Sequence, residues 1–339
     1  MWVPILAGLA AFAVGAGTGA WVAGPAVGGG SLSPLDVSAR PLPLDRQQPA
    51  RDRVGRLRFL GALQLNARDI RFGGISALLF DARCARLLAA TDSGSWLILE
   101  PKEEGDRLTG LGAAWIAPVL DAGGRPPPGK YEADAEALMW DGDSVLLWFE
   151  QDHRAQRYPG LSPCEPDSLA QPAAEVIRLP RMAGWPENGG VEAAATLEGR
   201  WILIAEQGGS GNRQVTGLVK GPGGVTSFRY PAADEFLPTA ADAIDPDTLV
   251  VVKRRFSRLR GVAARIELAR LPGKEGETAD TALLAELAPP LLVDNMEAVA
   301  VRTEGHRTFL YVASDDNFNP VQKTLLMKFE ILEGATPAG

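Results

Sequence analysis

Residues 190–208 read GVEAAATLEGRWILIAEQG, and this stretch decides the fold because it contains two short apolar runs joined by a turn. Glu192 stands just before an alanine at the start of the first run, and Glu206 follows the end of the second. Apolar runs of this length, separated by Glu198-Gly199, are typical of antiparallel strands and not of helices. The stretch therefore predicts a β-hairpin with a carboxylate in each strand.

The same arrangement recurs four more times, so the hairpin is a repeat. The copies span residues 73–96 (Ser76, Asp92), 134–152 (Glu136, Glu150), 239–257 (Asp242, Lys253) and 295–317 (Glu297, Asp315). The leading polar positions are 60, 56, 50 and 55 residues apart, a period that suits propeller blades with loop insertions. We predict an all-β fold, a β-propeller of five or six blades, in which residues 57–65 and 324–331 help to close the ring. A β-sandwich is the alternative, but it would scatter the recurring polar positions.

The N-terminal region differs from the repeats. Residues 1–35 carry no ionisable side chain, and residues 1–30 predict a signal peptide or membrane anchor. Residues 31–54 are polar and rich in proline, which predicts a tether. The propeller is expected over residues 55–333 and a short tail over 334–339. We therefore expect a periplasmic or extracytoplasmic protein, with residues 2–27 as a possible membrane tether.

Composition excludes several classes of protein. The 339 residues include 34 Lys and Arg against 42 Asp and Glu, and the net charge of −8 argues against nucleic acid as a partner. Two cysteines and two histidines exclude a disulfide-dense scaffold, a Cys₄ zinc site and a His-rich metal site. Cys84 and Cys164 pair or remain two free thiols; their spacing leaves both open. The composition does not indicate an oligomeric state.

Radial symmetry would bring the repeated polar side chains together. The predicted ring contains Ser76, Glu136, Glu192, Asp242 and Glu297, and the strand ends add Asp92, Glu150, Glu206, Lys253 and Asp315. So many carboxylates repel one another unless cations compensate them, which indicates a hard metal ion, Ca²⁺ or Mg²⁺, and nearby basic residues. The alternative is that each acid caps its own blade by accepting backbone N–H bonds.

These considerations give three groups of candidate site residues. The predicted catalytic residues are Glu136, Glu192, Glu297 and Lys253. The predicted substrate-binding residues are Arg71, Arg154, Arg254 and Arg255. The predicted metal ligands are Glu150, Glu206, Asp294, Asp315 and Asp316.

Several segments resemble a known family, the bacterial "esterase-like activity of phytase" group. They are FGGISAL, ATDSGSW, DAEALM, FEQDHRAQRY, NGGVEAAA, VVKRRFSRLRGVAARI, DNMEAVAV and SDDNFNPVQKTLLMKFEI, in that order over roughly residues 56–333. The resemblance implies a β-propeller exported to the periplasm or cell surface with phosphoesterase or esterase activity. It does not supply calcium ligands residue by residue.

The predicted function is a metal-dependent hydrolase of a small-molecule phosphate ester. No G-x-S-x-G motif is present, and a serine triad would need His153 or His306. The alternative from another class is a non-catalytic propeller that binds a ligand or protein in the cell envelope and uses metal structurally. Nucleic-acid binding through KRRFSRLR (residues 253–260) is disfavoured by the acidic balance.

Overall fold

The computed structural model describes residues 31–183, 185–206, 214–232, 235–257 and 261–332. Over these residues the chain forms five antiparallel sheets, which are the blades of a β-propeller. The prediction of an all-β propeller is confirmed, and of the two predicted blade numbers the structure has five. The leader and the tail (residues 1–30 and 334–339) lie outside the described residues.

The chain begins with strands that belong to the first and last blades. These are β1 (Ser33–Pro34), β2 (Val37–Leu42), β3 (Arg53–Val54) and β4 (Leu57–Ala67). Blade 1 is then formed by β5 (Ile75–Asp81), β6 (Arg86–Thr91), β7 (Ser95–Glu104) and β8 (Arg107–Pro118), with β1 on its outer edge.

The next blades follow one another along the chain. Blade 2 contains β9 (Ala135–Asp141), β10 (Ser144–Phe149), β11 (Arg154–Pro159) and β12 (Glu175–Arg178). Blade 3 contains β13 (Val191–Leu197), β14 (Arg200–Ala205), β15 (Gln214–Gly221) and β16 (Gly224–Pro231). Blade 4 contains β17 (Leu237–Ala243), β18 (Thr248–Ser257), β19 (Gly261–Arg270) and β20 (Asp280–Leu287).

Blade 5 joins the two ends of the chain. It contains β21 (Asn295–Glu304), β22 (Arg307–Asp315) and β23 (Thr324–Ile331), and β4 pairs with β23. The pairing sets Leu65 opposite Thr324 and Leu57 opposite Ile331, so the predicted closure of the ring by these two segments is confirmed. β2 adds the outermost position, and β3 pairs with β4.

Helical structure is minor. The helices that lie entirely within the described ranges are α1 (Lys130–Ala133) and the 3-10 helices Pro166–Ala170 and Pro180–Met182. Within the described part of the chain, no helix has the length and apolar character needed to span a membrane.

The core lies in the seams between neighbouring blades. Successive side chains on a strand point to opposite faces of its sheet. In β14, Leu203 packs between blades 2 and 3, whereas Ile202 and Ile204 pack between blades 3 and 4. Equivalent clusters fill the other seams, including the seam between blades 5 and 1. Each strand with apolar residues on both faces therefore packs against the blades on both sides of its own.

Residues 31–54 do not form the tether that their proline content predicted. β1 pairs with β8 of blade 1, and β2 pairs with β4 of blade 5, so the segment crosses the seam where the ring closes. The physical reason is apolar burial, since Leu35 and Leu44 are both buried in the seam cores. Within the described residues, the propeller therefore includes β1, β2 and β3 of this segment.

A disulfide joins Cys84 to Cys164 across 80 residues, with the two Cα atoms 5.5 Å apart. Cys84 lies in the turn between β5 and β6, and Cys164 lies in the connection between β11 and β12. The bond therefore links blade 1 to blade 2, and of the two open alternatives the structure contains the paired one.

We expect the double variant Cys84→Ser/Cys164→Ser to lose about 2–4 kcal/mol of unfolding free energy, because the crosslink removes conformations from the unfolded chain. Urea unfolding of the wild-type and variant proteins measures this difference. Reductant should lower the stability of the wild type and leave that of the double variant unchanged. Equal urea midpoints for the wild type and the double variant, both measured without reductant, would contradict the prediction.

Candidate functional site

The innermost strand of every blade contains a β-bulge close to its start. In each strand one residue is skipped by the pairing ladder: Ser76, Glu136, Glu192, Thr239 and Glu297. A bulge redirects the extra side chain. The channel along the propeller axis is lined by residues of all five of these strands, Ser76, Glu136 and Glu192 among them. The recurring polar position in the sequence is thus the bulge residue.

The fourth repeat was aligned incorrectly on the sequence. The register places Thr239, and not Asp242, at the bulge of blade 4. Thr239 donates a hydrogen bond to the carbonyl of Met296 at 2.9 Å, as Ser76 does to the carbonyl of Ala135 at 2.5 Å. Asp242 instead accepts the backbone N–H of Val301 at 2.7 Å, and burial raises its pKa to about 7. Asp242 therefore joins blade 4 to blade 5.

The residues at the ends of the second strands lie beside the bulges. Asp92, Glu150 and Glu206 each follow such a strand, and Asp315 ends β22 opposite Asn295. In blade 4 the equivalent position is Arg254, which pairs with Leu237, and not Lys253. We call this end of the channel the mouth.

Eight carboxylates gather at the mouth, and we call them the carboxylate cluster. They are Asp92, Asp134, Glu136, Glu150, Glu192, Glu206, Glu297 and Asp315. Oxygens of Asp134, Glu136 and Glu150 lie within 4.8 Å of one another, and so do those of Glu150, Glu192 and Glu206. Glu150 belongs to both groups, which places them side by side over blades 2 and 3.

Two basic side chains among the described residues bind the cluster, and of the close groups they pair only with Asp134. Lys130 bridges Asp92 at 2.6 Å and Asp134 at 2.5 Å, on the side of blade 1. Arg254 lies 3.1 Å from Glu297, on the side of blade 5. The portion between them, formed by Glu136, Glu150, Glu192 and Glu206, has no basic partner within the described ranges.

The pKa values of the cluster reflect the shortage of basic partners. Burial, reinforced by the charges of Asp134 and Glu206, raises the pKa of Glu150 to about 7. Burial and neighbouring glutamates hold the pKa values of Glu136 and Glu192 well above the usual range. Burial also raises the pKa of Glu297 to about 7, although Arg254 opposes the shift. Without a further cation, these groups retain protons near neutral pH.

The donor atoms fit a hard divalent cation. Both groups consist of carboxylate oxygens without sulfur or imidazole, which is the ligand chemistry of Ca²⁺ and Mg²⁺. The third group of potential ligands, Asp81 with Cys84 and Cys164, contains the disulfide and has no free thiolate.

The sequence matches the model of one protein family, phytase-like, described as esterase-like activity of phytase, over residues 70–318. The chain belongs to this family. The match of this phytase-like protein covers all five bulges and the whole carboxylate cluster. A search of the curated proteins finds no match.

Three solved structures found by a structural comparison are distant in sequence. A glutaminyl cyclase of Myxococcus xanthus is 10% identical, with a TM-score of 0.41, covering 77% of this chain and 92% of the other. A nidogen/laminin complex is 14% identical, with a TM-score of 0.40 and coverages of 83% and 87%. RRP9 WD40 repeats are 12% identical, with a TM-score of 0.38 and coverages of 83% and 99%.

Most of the basic residues predicted for the site bind elsewhere. Lys253 is buried against Glu267 at 2.8 Å and the carbonyl of Pro231. Arg71 pairs with Asp69, and Arg154 pairs with Asp152. Arg255 is buried with its guanidinium over the ring of Phe236. Of the predicted basic residues, Arg254 is the one that the structure brings to the carboxylate cluster.

The predicted metal ligands divide in the same way. Glu150 and Glu206 belong to the close groups, whereas Asp315 lies across the mouth near Asp92. Asp316 accepts the N–H groups of Gly74 and Phe318, so it fixes a loop.

Asp294 is also occupied by backbone donors, and two residues of the site were missed on the sequence. Asp294 accepts the N–H groups of Asn295 and Lys323. Asp134 and Lys130 belong to the mouth but were not among the candidates. Their spacing of four residues, with Asp134 two before Glu136, was the available signal.

We expect Arg254→Gln to lower the melting temperature more at pH 8 than at pH 5, measured in the presence of chelator. Glu297 has a pKa of about 7, so at pH 5 it is protonated and depends less on Arg254. At pH 8 Glu297 is ionised, and the loss of Arg254 should lower the free energy of unfolding by about 1–3 kcal/mol. Arg71→Gln is the matched control, because Arg71 lowers the pKa of Asp69, which stays ionised at both pH values. A loss for Arg254→Gln that is equal at pH 5 and pH 8 would contradict this account.

Proposed function

We propose that this phytase-like propeller is a metal-dependent hydrolase of phosphate esters, with Ca²⁺ or Mg²⁺ held at the mouth. The observation that carries the proposal is the pair of close carboxylate groups that share Glu150, in which Asp134 pairs with Lys130 and the four glutamates form no ion pair among the described residues. Burial and then repulsion between neighbouring carboxylates raise the pKa values of Glu136, Glu150 and Glu192, and a cation there would favour their ionised forms. Membership of the family supports a hydrolase.

The chain's own residues then have distinct roles. Asp134, Glu136, Glu150, Glu192 and Glu206 would hold the cation, which when bound polarises a phosphoryl oxygen and acidifies water. Lys130 and Arg254 flank these ligands and would hold the remaining phosphoryl oxygens. Glu297 lies outside both close groups, and with a pKa of about 7 it would accept a proton from the attacking water.

The proposed site differs from the set of site residues predicted from the sequence. Glu136 and Glu192 move from the proposed catalytic group to the proposed ligands, because they lie in the close groups. Arg71, Arg154, Arg255 and Lys253 are not part of the proposed site, because each is bound to other partners.

An extracytoplasmic location is proposed as well. The Cys84–Cys164 disulfide supports it, since such bonds persist in oxidising compartments. The apolar composition of residues 1–27 supports export or membrane anchoring, which agrees with this location.

We expect Ca²⁺ or Mg²⁺ to raise the melting temperature of chelator-treated protein. At a cation concentration of 100 times the Kd, the free energy of unfolding should rise by about 2.7 kcal/mol. Glu150→Gln should abolish this gain, because Glu150 serves both close groups. Glu175→Gln is the control, since its carboxylate lies on the outer strand β12 and pairs with Arg157.

The same proteins are assayed on p-nitrophenyl phosphate, bis-p-nitrophenyl phosphate, phytate and p-nitrophenyl acetate, with cation and with chelator. Cation-dependent turnover of a phosphate ester that falls at least about 100-fold in Glu150→Gln supports the proposal. Stabilisation by cation without turnover of any substrate would instead assign the metal a structural role in a binding propeller. Turnover of the acetate alone, unaffected by chelator, would overturn the metal-dependent mechanism.

A further inference from the structure

Exposed apolar side chains are concentrated at the mouth of the propeller. Among the described residues, six large hydrophobic side chains are strongly exposed. Four of them lie at the mouth end, either in connections or, for Phe256, at the end of β18: Ile70 (69%), Tyr131 (50%), Phe256 (60%) and Val321 (68%). The other two, Val176 and Leu283, lie on the outer strands β12 and β20.

The topology places these four side chains around the carboxylate cluster. Ile70 lies between β4 and β5, just before the bulge at Ser76. Tyr131 follows Lys130, which binds Asp92 and Asp134. Phe256 is next to the last residue of β18 in blade 4, and Val321 lies in the connection between β22 and β23 in blade 5.

The turns at the opposite end of the blades contain none of the six. They include Gly105-Asp106, Gly142-Asp143 and Glu198-Gly199, which are polar or lack a side chain. Among the described residues, the mouth end therefore presents exposed apolar side chains that these opposite turns lack. Isolated exposed hydrophobic residues are common on soluble proteins, but their segregation to one end is not expected from chance exposure.

The N-terminal segment enters the fold at the same end. β1 pairs with the last residues of β8, with Ser33 opposite Ile116, next to the Ser95–Pro118 pair that adjoins the mouth. The carbonyl of Ser31 accepts a hydrogen bond from Arg71 in the connection that contains Ile70.

The apolar stretch of residues 1–27 is separated from β1 by five residues, 28–32. Five extended residues span at most about 17 Å. If residues 1–27 insert into a bilayer, the start of β1 is therefore held close to the membrane surface.

We propose that the mouth end of the propeller docks on a lipid bilayer, with Ile70, Tyr131, Phe256 and Val321 entering the interfacial region. The net charge of −8 favours a zwitterionic surface over an anionic one. Docking itself does not depend on catalysis. Where the proposed hydrolase function also holds, docking places the carboxylate cluster opposite lipid headgroups, so that the substrate class is an ester of an amphiphilic lipid.

The test is amide hydrogen exchange of the full chain in phosphatidylcholine nanodiscs, with chelator and without substrate. The mouth variant Ile70→Ser/Val321→Ser is compared with the control variant Val176→Ser/Leu283→Ser, which removes the two exposed apolar side chains of the outer strands (39% and 49% exposed). All proteins retain residues 1–30, so any membrane binding through that segment is common to them.

In the wild type and the control variant, we expect exchange in residues 68–74 and 316–323 to be slower by at least about fivefold than in the mouth variant. Exchange in β6 and β22 should be equal in all three, which shows that the variants are folded. Equal exchange of the two mouth connections in all three proteins would overturn the proposal. So would a mouth variant that alters turnover of soluble p-nitrophenyl esters while exchange is unchanged, because the side chains would then serve a soluble substrate.

The outcome is separable from that of the hydrolase proposal. Exchange is measured without substrate or metal, so docking is established or refuted whether or not the carboxylate cluster is catalytic. Conversely, an inactive protein whose mouth connections are protected would retain the docking surface and lose the hydrolase function.

Discussion

The pairing of β4 with β23 is the interaction on which the rest of the structure depends. It brings the start of the folded chain into the blade that contains its end, and so converts a row of hairpins into a ring. Only in a closed ring do bulge residues as distant in sequence as Ser76 and Glu297 share one channel. The segment with β1 and β2 reinforces this closure by pairing with both blades at the seam.

Much of the fold could be predicted because it depends on local patterns. Apolar runs with turn residues between them identify the hairpins, and the recurring polar position identifies the bulge in four of the five blades. Blade 4 escaped because Asp242 precedes an alanine, as the other polar residues do, whereas the bulge is at Thr239. The location of a bulge depends on how two strands pair, and a sequence pattern does not fix that register.

The same limitation explains the basic residues of the site. Lys253 and Arg254 are adjacent in a strand, so their side chains point to opposite faces. An error of one residue in the alignment therefore assigns to the mouth a side chain that lies in the seam between blades. Arg254 reaches Glu297, whereas Lys253 is buried with Glu267. Residues 31–54 were misjudged for a different reason, since two buried leucines outweigh a composition that suggests a tether.

The two ends of the propeller treat charge differently, and this difference bears on function. At the end away from the mouth, Asp106 and Glu330 each contact Arg58 and Arg307, so every carboxylate of that network has basic partners. At the mouth, Glu136, Glu150, Glu192 and Glu206 are close together without basic partners in the described residues. Buried like charges destabilise a fold, and replacing one carboxylate by an amide would relieve the repulsion. Since the chain pairs the acids of that network with arginines, the four glutamates at the channel mouth that lack such partners support the proposal of a bound cation.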